Sequence, residues 1–133
     1  MTVPCRLESI RIAAAFLVQA ARDRHVPPAF DSLFEVAIVE ALNNAFEHGT
    51  TAQEPEASIV CELELVDRRL TVRILAPGPE FELPQTPPPE WSADDIATIP
   101  EGGFGISIIQ GVFPMVRTIA RPGKFGLEMA LTF

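Results

Sequence analysis

The chain has 133 residues, 47% of them hydrophobic and 21% charged, with a formal net charge of −8. That length suits one domain with its own core, and the composition excludes a disordered chain. The acidic balance excludes a phosphate backbone as a natural partner, so no nucleic acid is expected.

Two cysteines, Cys5 and Cys61, are too few and too far apart for a disulfide framework, and they read as reduced thiols. No apolar run approaches the roughly 20 residues that span a bilayer, and MTVPCRLES lacks the charged start and apolar core of a signal peptide. The expectation is a soluble, cytoplasmic protein with no membrane partner.

The first helix is expected over 6–24. Leu7, Ile10, Ala14, Leu17 and Ala21 recur at three- and four-residue steps, and Pro27-Pro28 stops it. A second helix is expected from Ser32, where Ser32 and Glu35 have capping-box spacing, to Gly49. Phe34, Ile38, Ala41, Leu42, Ala45 and Phe46 form its apolar side. Glu40, Asn43, Asn44, Glu47 and His48 fill the opposite arc in the last two turns, while the first turns are apolar nearly all round.

Alternation in ASIVCELELV and LTVRILA predicts a hairpin with one buried face, carrying Arg73 opposite Glu62 or Glu64. Residues 77–103 hold seven of the thirteen prolines. A segment of that length reads as a lid or binding loop, with a single helical turn at WSADDIAT. GISIIQGVF predicts a third helix, and MVRTIAR with KFGLEMALTF a second hairpin turning at Pro122-Gly123. The order α-α-β-β-loop-α-β-β predicts one domain over 1–133. Its class is α+β, a two-layer sandwich with a mixed or antiparallel sheet and helices on one face.

Three short patterns stand out. In E40-x-x-x-N44-x-x-x-H48, a carboxylate and a carboxamide project to one side of a helix. The first can take a proton, and the second can ligate a hard cation. Alone, such a stripe is more often a solvated face. A76-P77-G78-P79-E80-F81 places a glycine at a strand exit, where a ligand can approach the backbone. E101-G102-G103-F104-G105-I106 places glycines ahead of a helix N-terminus, a seat for phosphate. No Lys-Ser/Thr follows it, so it is not a P-loop, and no strand leads into it, so it is not a dinucleotide fingerprint.

In this order and spacing the three patterns resemble the histidine-kinase-like ATPase superfamily, the Bergerat or GHKL fold. Within it the chain looks most like the small anti-sigma-factor serine kinases. The likeness covers about 6–133, with the opening strand clipped to a few residues around Thr2 to Pro4. The resemblance implies ATP and Mg²⁺ as ligands. It implies Glu40 as general base toward the attacking hydroxyl and Asn44 as the Mg²⁺ ligand. His48 falls on a frequent histidine at the end of that motif. Ala76 and Gly78 fall in the first glycine box beneath the adenine, and Gly103, Phe104 and Gly105 in the second, around the phosphates. It also implies a sigma factor and an anti-anti-sigma (STAS-type) protein as partners, the latter carrying the target serine, and a homodimer.

Three positions depart from the family pattern. Ala76 stands where an aspartate normally accepts a hydrogen bond from the adenine amino group. Glu101 stands where some of these kinases carry an arginine near the γ-phosphate. Gly126-Leu127 stand where small hydroxyl residues often face the nucleotide. Two readings stay open: an ATP-dependent serine kinase that sequesters a sigma factor, and a partner-switching module on the same scaffold without ATP. A third is a detached nucleotide-binding partner of a regulatory phosphatase.

Overall fold

The computed structural model describes residues 1–4, 6–49, 58–78 and 105–133. Its elements in chain order are β1 (Thr2–Pro4), α1 (Leu7–Asp23), a 3₁₀ turn (Pro27–Phe30), α2 (Ser32–Gly49), β2 (Ser58–Val66), β3 (Arg69–Ala76), α3 (Gly105–Val112), β4 (Met115–Arg121) and β5 (Lys124–Thr132). Five strands form one open sheet in the order β1-β2-β3-β5-β4, with every neighbouring pair antiparallel. The three helices cover one face, so the architecture is the expected α+β sandwich. The proline-rich segment and WSADDIAT lie outside the described residues from 79 onward. No helix among the described residues is long and apolar enough to cross a membrane.

The two inner α1 and α2 stripes meet the sheet as the periodicity requires. Ile10, Ala13, Ala14, Leu17, Val18 and Ala21 are buried from α1, and Phe34, Ala37, Ile38, Ala41, Leu42 and Ala45 from α2. Opposite them stand Ile59 and Cys61 of β2, Leu70, Val72, Ile74 and Ala76 of β3, and Leu127, Met129 and Leu131 of β5. Burial pushes the Cys61 thiol up to about 11, which leaves it protonated and unreactive. Cys5 lies outside the described residues.

Two expectations need correction. The α2 cap is Asp31 rather than Ser32: the Leu33 N–H donates to the Asp31 carboxylate at 2.8 Å, and the Phe34 N–H to its carbonyl at 3.1 Å. Asp31 is extended at φ −83°, ψ 138°, which aims its short carboxylate at the first turn and places Ser32 inside the helix. Second, β3 is buried on both faces rather than one. Leu75 is 0% exposed and Thr71 8%, although both point away from the helices. The cause is position: β3 is the central strand, flanked by β2 and β5, and long charged side chains run across its outer face.

That outer face carries an ion-pair ladder. Arg73 stands opposite Glu62 in the register, but its guanidinium is closer to Glu64, at 3.0 Å, and to Glu128, at 2.7 Å. Glu128 also takes Arg117, at 2.6 Å. Arg121 of β4 holds both oxygens of Glu62 on β2, at 2.8 and 2.7 Å, and so spans the two strands between them. Arg121 holds the Glu62 carboxyl below the usual range, and Arg117 and then Arg73 do the same for Glu128. Each exposed pair contributes little by itself, and the same face carries two further cations, Arg69 beside the Met115 sulfur and Lys124 on the Ser58 carbonyl.

The turns follow from backbone chemistry. Asp67 opens the β2–β3 turn at φ 55°, which aspartate tolerates, and Gly123 closes Pro122-Gly123 at φ 75°. Gly111 sits in α3 with no such need: it is exposed, and a Cβ there meets nothing within 4 Å. Gly111→Ala is therefore expected to raise stability by about 0.5–1 kcal/mol, read by denaturant unfolding. A loss would show that position 111 requires the freedom of glycine.

Candidate functional site

The site is assembled at one end of the sandwich by the way α2 and α3 run. Phe34, at the start of α2, packs on Phe113, just past α3, with ring centroids 5.6 Å apart. β4 begins two residues later at Met115, at the end of the sheet where β3 starts. From there α2 extends about 27 Å towards the end where β3 finishes. The N-terminus of α3, at Gly105, points the same way. The last turns of α2, the first turn of α3 and the exit of β3 at Ala76–Gly78 thus converge.

On α2, Glu40 and Asn44 lie one turn apart on the same side, both half-buried, with Asn43 half-buried and Glu47 exposed. Burial, and then the charge of Glu47, raise the Glu40 carboxyl above its ordinary value. The Asn44 side-chain oxygen is buried and, among the described residues, accepts no hydrogen bond. A buried acceptor of that kind costs roughly 1–3 kcal/mol when unsatisfied. It is thus a lone pair held ready for a cation or a donor. His48 falls in the last turn of α2 by its backbone; its side chain lies outside what is described.

At the strand exit, Ala76 is 2% exposed and stands opposite Phe125 of β5. The floor here is a methyl group with an aromatic ring on the same face. Gly78 adopts φ 152°, a conformation open to glycine and strained for other residues. Gly105 opens α3, whose first-turn N–H groups have no partner within the helix itself. Gly103, Phe104 and Glu101 lie outside the described residues, as do Glu80 and Glu82.

Two further features bear on the site. Phe125 was legible only as one step of a core alternation; its place beside Ala76 comes from the β3–β5 register. Gly126 and Leu127 are explained by packing: Leu127 is 2% exposed against the core, and a Cβ on Gly126 would lie 1.9 Å from the Ile74 carbonyl oxygen. Gly126 thus has no room for a hydroxyl-bearing side chain, and Leu127 is committed to the core.

The residues present fit the phosphate and metal end of a nucleotide site. Asn44 supplies an oxygen ligand, the α3 N-terminus supplies N–H donors, and Gly78 lets the backbone approach. The Ala76 side chain offers no acceptor of its own. Among the described residues no group of three or more His, Cys, Asp or Glu side chains gathers to hold a metal alone. Mg²⁺ commonly completes its coordination with phosphate oxygens and water.

Sandwich, motif-bearing α2 and glycine-flanked α3 define a nucleotide-binding class of domain. The family model described as the histidine kinase-like ATPase domain matches residues 3–131, and the chain belongs to that family. None of the curated proteins matches the chain.

Proposed function

We propose that the protein is an anti-sigma-factor-like regulator, cytoplasmic and built on an ATP-binding serine kinase scaffold, with a nucleotide site that keeps its phosphate end and has lost its adenine contact. The observation that carries this reading is the buried, unpartnered Asn44 oxygen one turn from a Glu40 whose carboxyl is raised. A half-buried carboxyl with a raised pKa is a stronger base than an ordinary glutamate. Placed near a serine hydroxyl, Glu40 takes its proton as the oxygen bonds to the γ-phosphorus and ADP departs. Asn44 holds Mg²⁺, which when bound neutralises phosphate charge. The acceptor is a serine on an anti-anti-sigma protein of the STAS type, and the other partner is a sigma factor.

The floor at Ala76 favours a second reading, a partner-switching module that works without ATP. Calorimetric titration with Mg-ATP separates the two. The kinase reading expects measurable binding, weak and in the high micromolar range or worse. No heat and no thermal shift at millimolar Mg-ATP selects the ATP-free module, and a low-micromolar constant overturns the weakened site.

Ala76→Asp is the companion test. It should tighten Mg-ATP binding by about tenfold or more, the worth of one charged hydrogen bond. The free variant should also be less stable, because the new carboxylate is buried without a partner. No gain in affinity would mean the site fails elsewhere.

A further inference from the structure

Charge in this chain is sorted by element. Its ten lysines and arginines fall within 6–24, 68–73 and 117–124. None falls within 25–67 or 74–116, the stretches that supply α2, the β3 exit and α3, and fifteen of the eighteen acids fall there. The elements that converge on the candidate site therefore bring carboxylates and no lysine or arginine. Cations from neighbouring elements are committed elsewhere. Lys124, next to Phe125 in β5, lies on the outer face with its Nζ on the Ser58 carbonyl at 2.9 Å, and Arg121 holds Glu62. Among the described residues no cation, Arg6 and Arg11 at the start of α1 included, lowers the Glu40 carboxyl, which burial and then Glu47 raise.

Glu47 is the member of this set that packing does not explain. It lies three residues past Asn44 and seven past Glu40, so all three share one side of α2. Unlike the other two it is exposed, and among the described residues no ion pair holds it. It also stands in the last turn of α2, where a negative charge opposes the helix dipole and a lysine would complement it. Its carboxylate thus works against the helix, at the end where α2 converges with the α3 N-terminus and Gly78. Phosphate sites commonly offer a lysine or arginine to the oxygens. The described part of this one offers two carboxylates instead. We propose that Glu47 determines the form of ligand the site accepts: polyphosphate enters only as its divalent-metal complex, and the metal-free anion is turned away. This rests on the nucleotide reading given above and specifies its substrate class. Bound Mg²⁺ neutralises phosphate charge, so Glu47 meets a metal complex instead of a bare polyanion. Glutamine at this position removes the repulsion, and lysine reverses it.

The test is calorimetric titration of the whole chain with inorganic tripolyphosphate and with ATP, each in excess Mg²⁺ and after chelation of all metal. Tripolyphosphate carries no base, so it reads the phosphate end apart from Ala76. The titrations are run at pH 8, where an ordinary histidine is neutral and His48 adds no charge. Wild type should bind the metal-free anions about a hundredfold more weakly than the Mg²⁺ complexes, or not measurably. Glu47→Lys should bind metal-free tripolyphosphate about tenfold or more tighter than wild type, with Glu47→Gln between the two. Glu47→Lys should also melt no lower than wild type, since lysine suits that helix end. A wild type that binds both forms equally overturns the proposal. So does a variant series that leaves the ratio of the two affinities unchanged. Binding of Mg-tripolyphosphate without Mg-ATP removes ATP from the functional reading and leaves the role of Glu47 standing. No binding of either polyphosphate, in any form, by wild type or Glu47→Lys overturns both.

Discussion

Replacing Glu40 by glutamine is expected, on the kinase reading proposed above, to slow phosphoryl transfer by about 10²–10⁴-fold, the usual contribution of a general base, while leaving Mg-nucleotide affinity nearly unchanged. The same substitution should stabilise the fold at neutral pH. Glu40 is raised above the ordinary glutamate value, about 4.5, by burial and then by the charge of Glu47, so the folded state holds its proton more tightly than the unfolded state does. Below 4.5 both states are protonated and the ionisation costs nothing. As pH climbs from there through the raised folded value, the native state binds more protons than the unfolded one, and stability falls. Glutamine removes that loss. The melting temperature of Glu40→Gln should therefore exceed wild type at pH 7 to 8, with the difference shrinking as pH approaches 4. The comparison must be variant against wild type, because Glu62 and Glu128, held low by their arginines, make the whole protein lose stability in acid with the opposite sign. A variant no more stable than wild type at pH 7, with transfer undiminished, removes Glu40 from both roles.

This trade between stability and chemistry also explains what the amino-acid sequence revealed and what it withheld. Helix and strand spans were legible because periodicity and burial obey the same geometry: the Leu17 and Ile38 stripes could point nowhere but inward. The Glu40–Asn44 stripe was legible as a pattern, yet its meaning depended on what surrounded it. Taken alone, a polar arc on a helix is a solvated face. In the fold, the Asn44 oxygen is buried and unpartnered, and that state belongs to the packing of α2 rather than to its composition. The α2 cap was missed because Ser32 and Asp31 are adjacent and both cap well; only the extended backbone of Asp31 decides between them. The burial of Leu75 was missed for a different reason. Alternation assigns residues to faces, but sheet order decides which strand is central, and sheet order rests on long-range pairing of β3 with β5. The ladder was half legible: Arg73 near Glu62 or Glu64 follows from the hairpin, whereas Arg121 reaching Glu62 follows only once β4 and β2 share a sheet.

Gly126→Ala is expected to be among the most damaging single substitutions in the sheet, at about 3 kcal/mol or more, the upper end for forcing atoms into a packed interior. Gly126 lies in β5 between Leu75 of β3 and Ile119 of β4. An added Cβ would fall 1.9 Å from the Ile74 carbonyl oxygen and 2.8 Å from both the Ile74 carbonyl carbon and the Leu75 Cα. All three are backbone atoms of the central strand, so no side-chain rotation relieves the contact. The strands must part, and the β3–β5 ladder that joins the two hairpins loosens next to its Ala76–Phe125 end. The damage should extend to the outer face, since Arg121 reaches Glu62 on a diagonal that passes the level of Gly126 and Leu75. Denaturant unfolding of Gly126→Ala and Gly126→Thr should show a large loss for both, worse for threonine. The consequence for the site is specific. The resemblance to the anti-sigma-factor kinases sets Gly126 in the region where small hydroxyl residues often face the nucleotide, and this backbone admits no side chain there, so a single substitution cannot restore that contact. Wild-type stability in Gly126→Thr, together with tighter Mg-ATP binding, would overturn this account and make the glycine a removable departure rather than a requirement of the sheet.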